Sequence, residues 1–114
     1  EFPDAIENAK ESAQLNGIDS CEFLQGTVEK HLPKIVEAEN IDTVIVDPPR
    51  KGCSDEVLQS ILKIAPEQII YVSCNPATLA RDLKNMEPYH IEDMVVVDMF
   101  PQTHHVETAV LLRK

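Results

Sequence analysis

The sequence predicts an α/β domain built on a largely parallel sheet, with its reactive groups at the carboxyl ends of the strands. Three observations carry this. Apolar runs of strand length alternate with segments of helical periodicity. Two of those runs, Thr43 to Val46 and Gln68 to Val72, carry continuous apolar stretches, as strands covered on both faces do. Each stops at an unusual proline-containing peptide, Asp47-Pro48-Pro49-Arg50 and Ser73-Cys74-Asn75-Pro76. In open α/β sheets, ligands bind at such strand ends.

The elements follow in chain order. Asp4 to Asn16 reads as a helix: Asp4 and Glu7 make a capping-box-like start, and Ala5, Ala9 and Ala13 share a face beside Ile6. Gly17 is its C′ residue. Cys21 to Leu24 is expected to be a short strand. Val28 to Ala38 is expected to be a second helix, interrupted or bent near Pro33. Thr43 to Val46 is a buried strand. Ser54 then caps a helix with Asp55 and Glu56 in its first turn, where they suit the macrodipole, and Val57, Leu58, Ile61 and Leu62 form its apolar stripe. Gln68 to Val72 is the next strand, and Pro76 opens a helix running to about Met86. Ile91 to Met99 and Val106 to Leu112 close the chain as an antiparallel pair. From Cys21 onward the order is β-α-β-α-β-α-β-β.

Composition narrows the function classes. A chain of 114 residues holds one domain with one modest core. Hydrophobic residues at 43% and charged residues at 26% mark a folding rather than a disordered chain. No apolar run approaches the ~20 residues of a membrane span, and the acidic N-terminus lacks a signal-peptide core. Ten Lys plus Arg against twenty Asp plus Glu give a net charge of −10, so the chain alone is expected to grip nucleic acid poorly. Cys21, Cys53 and Cys74 are widely spaced with no C-x-x-C, which argues against a disulfide framework or zinc site. It points to a reducing, cytoplasmic compartment.

Cys74 carries the strongest chemical signal. It ends an apolar strand and directly precedes a helix start. Only a few per cent of an ordinary thiol is thiolate at neutral pH, and a helix N-terminus raises that fraction. A buried, inert cysteine is the competing reading; it holds for Cys21 and Cys53, which lack this setting. In Asp47-Pro48-Pro49-Arg50 the prolines fix the chain direction and leave the Asp47 carboxylate at the crevice, unless the peptide is a plain strand-ending turn. Glu107 lies just inside the last strand and reads either as a general base or as a solvated glutamate. His105-Val106-Glu107 has the H-x-E of zinc deaminases, but no P-C-x-x-C follows in the seven remaining residues.

Three ordered segments resemble the RNA uracil-5-methyltransferases: Val46 to Gly52, Tyr71 to Asp82 and Phe100 to Glu107. The likeness covers nearly the whole chain. It implies a Rossmann-like class I methyltransferase fold that lacks its first strands and ends in an antiparallel pair. It implies S-adenosyl-L-methionine as cofactor and rRNA or tRNA as partner, with no membrane. By the resemblance, Cys74 is the nucleophile that adds to carbon 6 of uracil, and Glu107 the base that removes the carbon-5 proton. Asp47 matches the meeting point of cofactor and base, Glu1 the contact to the cofactor ribose, and Thr27 the contact near the adenine. Pro48, Asn75, Arg81 and Gln102 are expected on the substrate side; for Arg81 and Gln102, as for Arg50 and His105, loop anchoring is the equal alternative.

The glycines are Gly17, Gly26 and Gly52, and no G-x-G occurs. The chain is therefore expected to be the C-terminal portion of a larger catalytic domain, without its Gly-rich cofactor loop and its N-terminal RNA-binding domain, and to be inactive alone. The open edge beside Thr43 to Val46 is expected to favour self-association. An RNA cytosine-5-methyltransferase would place a cysteine where Pro49 stands, and a non-catalytic module would have no use for Cys74, Asp47 and Glu107 together.

Overall fold

The computed structural model describes residues 3–38, 40–99, 101–102 and 105–114. In chain order these form α1 (Pro3–Leu15), α2 (Val28–Ala38), β1 (Thr43–Val46), α3 (Asp55–Ile64), β2 (Gln68–Ser73), α4 (Pro76–Lys84), β3 (His90–Val97) and β4 (Glu107–Arg113). The sheet runs β1-β2-β4-β3. β1 and β2 are parallel, joined by α3 as a βαβ crossover. β4 inserts between β2 and β3 and is antiparallel to both. The expected C-terminal antiparallel pair is thus present, while the parallel part of the sheet is the single β1–β2 pair.

Two expectations are corrected. Cys21 to Leu24 forms no strand, and Cys21, Glu22 and Leu24 are exposed, so Cys21 is not the buried cysteine expected either. Four residues with no neighbouring strand have no ladder to join, and strand propensity without a partner makes no strand. The second concerns burial on both faces. Ile69, Tyr71 and Ser73 of β2 and Thr108, Val110 and Leu112 of β4 are buried, and the residues between them are half-buried. One face is packed under α3 and α4, through Val57, Leu58, Ile61 and Leu79. The other face carries Ile45, Ile70, Val72, Ala109 and Leu111, and Ile45 is 67% exposed on the edge strand β1. The apolar run marked a strand of an α/β sheet, but the described residues cover only one side of it.

Local signals explain the helix that carries the packing. Ser54 Oγ accepts from the Val57 amide, capping α3, and donates to Glu29 of α2. The α3 stripe then falls on the sheet, with Ile61 wholly enclosed. Pro33 lies inside α2 without ending it. Among the described residues no helix is long and apolar enough to cross a membrane.

Candidate active site

The site is assembled where the chain leaves β1 and β2 and enters β4. After Ser73 the chain bends sharply. Ser73 Oγ accepts from the Asn75 amide (3.0 Å) and donates to the Asn75 carbonyl (2.9 Å). Asn75 is the N-cap of α4, its Oδ1 accepting from the Ala77 amide at 3.0 Å, and Pro76 occupies the first helical position, where its missing N–H loses nothing. Cys74 is held half-buried inside this bend.

The register brings Glu107 to it. Ser73 opposes Thr108 across the antiparallel β2–β4 pair. The ladder ends there: Cys74 follows Ser73 into the bend and Glu107, the first residue of β4, precedes Thr108, so both lie at the same end of the β2–β4 pair. Both residues are half-buried, and both continue the less buried alternation of their strands. On the other side Val46 is level with Tyr71, so exposed Asp47 and half-buried Pro48 leave β1 beside the end of β2.

The Asp47 loop is fixed from α4, almost entirely through its backbone. Pro49 to Gly52 forms a tight turn, closed by the Gly52 amide on the Pro49 carbonyl at 2.9 Å. Asn75 Nδ2 and Thr78 Oγ1 each donate to the Arg50 carbonyl at 3.0 Å. Arg81 Nη2 donates to the Lys51 carbonyl at 2.8 Å. The Cys53 amide donates to Asp82 Oδ2 at 2.8 Å. Arg50 in turn reaches the β4 side, its Nη1 donating to His105 Nδ1 at 3.2 Å.

Asp82 is the residue that sequence reasoning missed. Its side chain is 1% exposed, a charge in the core. A buried carboxylate is tolerated only when paired and fully hydrogen-bonded. Here Oδ2 also accepts from Tyr71 Oη at 2.6 Å, and Oδ1 accepts from Arg81 Nε (3.0 Å) and Nη2 (2.8 Å). Burial, and then the bond to Asp82, push the Tyr71 phenol far above its ordinary range. Burial also pushes the Cys53 thiol up; the neighbouring Asp82 charge adds to this, and a hydrogen bond with Tyr71 opposes it. The available signal was an acid on the same face of α4 as Leu79, three residues away.

The expected site residues therefore divide. Cys74, Asn75, Asp47, Pro48 and Glu107 gather at one end of the sheet. Asn75 and Arg81 have the contacts of loop anchors. Gln102 is exposed, with φ +68°. Thr27 is exposed just before α2. Glu1, Phe100, Thr103 and His104 lie outside the described residues. A shallow cavity along α1, lined by Lys10, Gln14, Ile18, Cys21 and Phe23 among others, takes in none of the gathered side chains.

Comparison with known proteins shows the family and the fold. A family model described as tRNA (uracil-5-)-methyltransferase matches residues 1–114. An uncharacterized RNA methyltransferase of Gloeobacter violaceus is 50% identical over 112 residues, covering 96% of this chain and 24% of the relative. One from Clostridium acetobutylicum is 49% identical over 116 residues, covering 99% and 25%. The chain thus spans about a quarter of the length of these relatives. The crystal structure of Pyrococcus abyssi tRNA (uracil-54, C5)-methyltransferase in complex with S-adenosyl-L-homocysteine superposes with a TM-score of 0.84 at 40% identity, covering 97% of this chain and 26% of that one. TrmN from Thermus thermophilus shares the fold, with a TM-score of 0.70 at 19% identity over 99% of this chain and 34% of its own. Matched over residues 1–114, the chain belongs to the tRNA (uracil-5-)-methyltransferase family.

Proposed function

We propose that the chain is the C-terminal catalytic portion of a cytoplasmic, S-adenosyl-L-methionine-dependent enzyme that forms 5-methyluridine in rRNA or tRNA through a covalent cysteine adduct. The supporting observation is the β2–β4 register: Ser73 opposes Thr108, so the adjoining Cys74 and Glu107 fall at one end of the sheet, the end at which Asp47 leaves β1. Uracil is a weak nucleophile at carbon 5, so the reaction needs a nucleophile and a base on one small ring.

In this reading the Cys74 thiolate adds to carbon 6, and the electron pair of the 5,6 double bond moves to carbon 5. When bound, the cofactor would supply an electrophilic methyl group for carbon 5, its methyl–sulfur bond breaking to leave a neutral thioether. Glu107 then removes the carbon-5 proton as general base, the 5,6 double bond re-forms, and the carbon–sulfur bond breaks to return the thiolate. The target nucleotide must first leave its stack.

The described residues supply one edge of a cofactor site. Asp47 is exposed at the end of β1 and Thr27 before α2, and no enclosed cradle surrounds them. An exposed carboxylate suits the positive charge of a sulfonium or an ammonium group, but the walls would have to come from other parts of the enzyme. The same holds for RNA: with a net charge of −10, this portion leaves the grip on phosphates to other domains.

The experiment offers 5-fluorouridine RNA and cofactor to the full-length enzyme. A covalent RNA–protein adduct should accumulate, since fluorine cannot be removed as a proton. Cys74→Ala should abolish it. Glu107→Gln should methylate natural RNA once and then hold it as the adduct. Normal methylation by Cys74→Ala would overturn the reading.

A further inference from the structure

Arg81 and Asp82 stand one helical turn beyond the Asn75–Thr78 end of α4 and have no place in the chemistry above, yet their contacts are unusually complete. The Asp82 carboxylate, 1% exposed, accepts from Tyr71 Oη, the Cys53 amide and two Arg81 nitrogens. Arg81 spans the gap from Asp82 Oδ1 to the Lys51 carbonyl with one planar fork. Gly52 sits where no side chain fits: a Cβ there would lie 2.7 Å from Asp82 Oδ2 and 2.5 Å from Arg81 Nη2. Two prolines separate this turn from Asp47, so displacement of the turn is passed along a stiff segment.

We propose that Arg81 and Asp82 are positioning residues: together they latch the Lys51–Cys53 backbone to α4, and so fix where Asp47 stands relative to Cys74. The proposal rests on the reading of Cys74 and Asp47 given above. Arg81 acts by geometry as well as by charge. A lysine would keep the positive charge beside Asp82 but lacks the flat fork that reaches a carboxylate and a carbonyl at once. The latch reads backbone atoms, so it constrains the turn whatever side chains residues 50 and 51 carry.

The test compares wild type with Arg81→Lys in the full-length enzyme. Amide hydrogen exchange of the peptide spanning Pro49 to Cys53 measures the latch, and kcat and KM for RNA and methyl donor measure its consequence. Thermal melting checks that the fold persists. Arg81→Lys should still melt in one cooperative transition, shifted down by a few degrees, exchange faster in this peptide and lose roughly tenfold to a hundredfold in kcat, as expected for a misplacement of about 1 Å. The KM for RNA should stay within about threefold, while the KM for the methyl donor should rise with the displaced Asp47 carboxylate. Wild-type exchange together with wild-type kcat would overturn the proposal. So would faster exchange with unchanged kcat, because the latch would then serve no chemistry. A lower kcat with unchanged exchange would also overturn it, by making Arg81 a direct substrate contact. If wild type forms no 5-methyluridine, the uracil reading fails; the exchange comparison then still upholds the latch or overturns it.

Discussion

Gly52→Ala should destabilise this domain far more than a surface loop substitution does, and the magnitude can be worked from two contacts. Gly52 has φ +80°, which costs a residue with a Cβ ~1–2 kcal/mol. The new methyl would stand 2.5 Å from Arg81 Nη2, 2.7 Å from Asp82 Oδ2 and 3.2 Å from Thr78 Cβ. The Arg81 terminus can swing away. Asp82 cannot: it is buried and held by Tyr71 and the Cys53 amide. The turn must lift instead, breaking the Cys53 N–H bond to a charged acceptor, worth about 1.5–3 kcal/mol. The loss should total roughly 2.5–5 kcal/mol, a large share of the ~5–15 kcal/mol that holds a domain. Gly17→Ala is the internal control, since Gly17 has φ +66° but nothing within 4 Å of its would-be Cβ. It should lose only the conformational ~1–2 kcal/mol. Urea titration read by hydrogen exchange of α4 and β2 peptides reports on this domain within the full-length chain. Equal losses for the two variants would refute the reasoning, because the clash with Asp82 would then be cost-free.

Tyr71→Phe removes one donor from the buried Asp82 carboxylate and should lower stability by ~1.5–3 kcal/mol in the same titration. With native protein, iodoacetamide mapped by mass spectrometry should label Cys21, which is exposed, ahead of Cys53, whose thiol burial pushes up. The sign of the alkaline response follows from the same shifts. Cys53 and Tyr71 keep their protons in the folded state to higher pH than in the unfolded chain. Their contribution to stability is therefore full below the unfolded thiol range and falls as pH rises above about 9. An unfolding midpoint that climbs between pH 9 and pH 10 would contradict it.

Much of the fold was legible because local signals agreed with one another. The Ser54 cap, the α3 stripe, the Asn75-Pro76 start and the apolar runs at 43–46 and 68–72 each point to one element, and each element forms. The Cys21 to Leu24 strand did not form, because strand formation depends on a neighbour that no local window reveals. For the candidate site, Cys74 and Asp47 could be placed at strand ends from the sequence. That Glu107 falls at the same end of the sheet could not be derived from pattern alone, because it depends on β4 inserting between β2 and β3. The Asp82 network was hidden for a related reason. Cys53 and Asp82 lie 29 residues apart, and the bond between them is made by a backbone amide that any residue type could offer.

Two cysteines flank this network in different settings. Cys53 enters the core beside a buried carboxylate, and both burial and that negative charge disfavour its thiolate. Cys74 lies half-buried in the bend outside the ladder, directly before the N-cap of α4. Asp82 belongs to the first setting: Arg81, Tyr71 and the Cys53 amide answer its charge where it lies, and two of these partners are the same groups that tie the Lys51–Cys53 turn to α4.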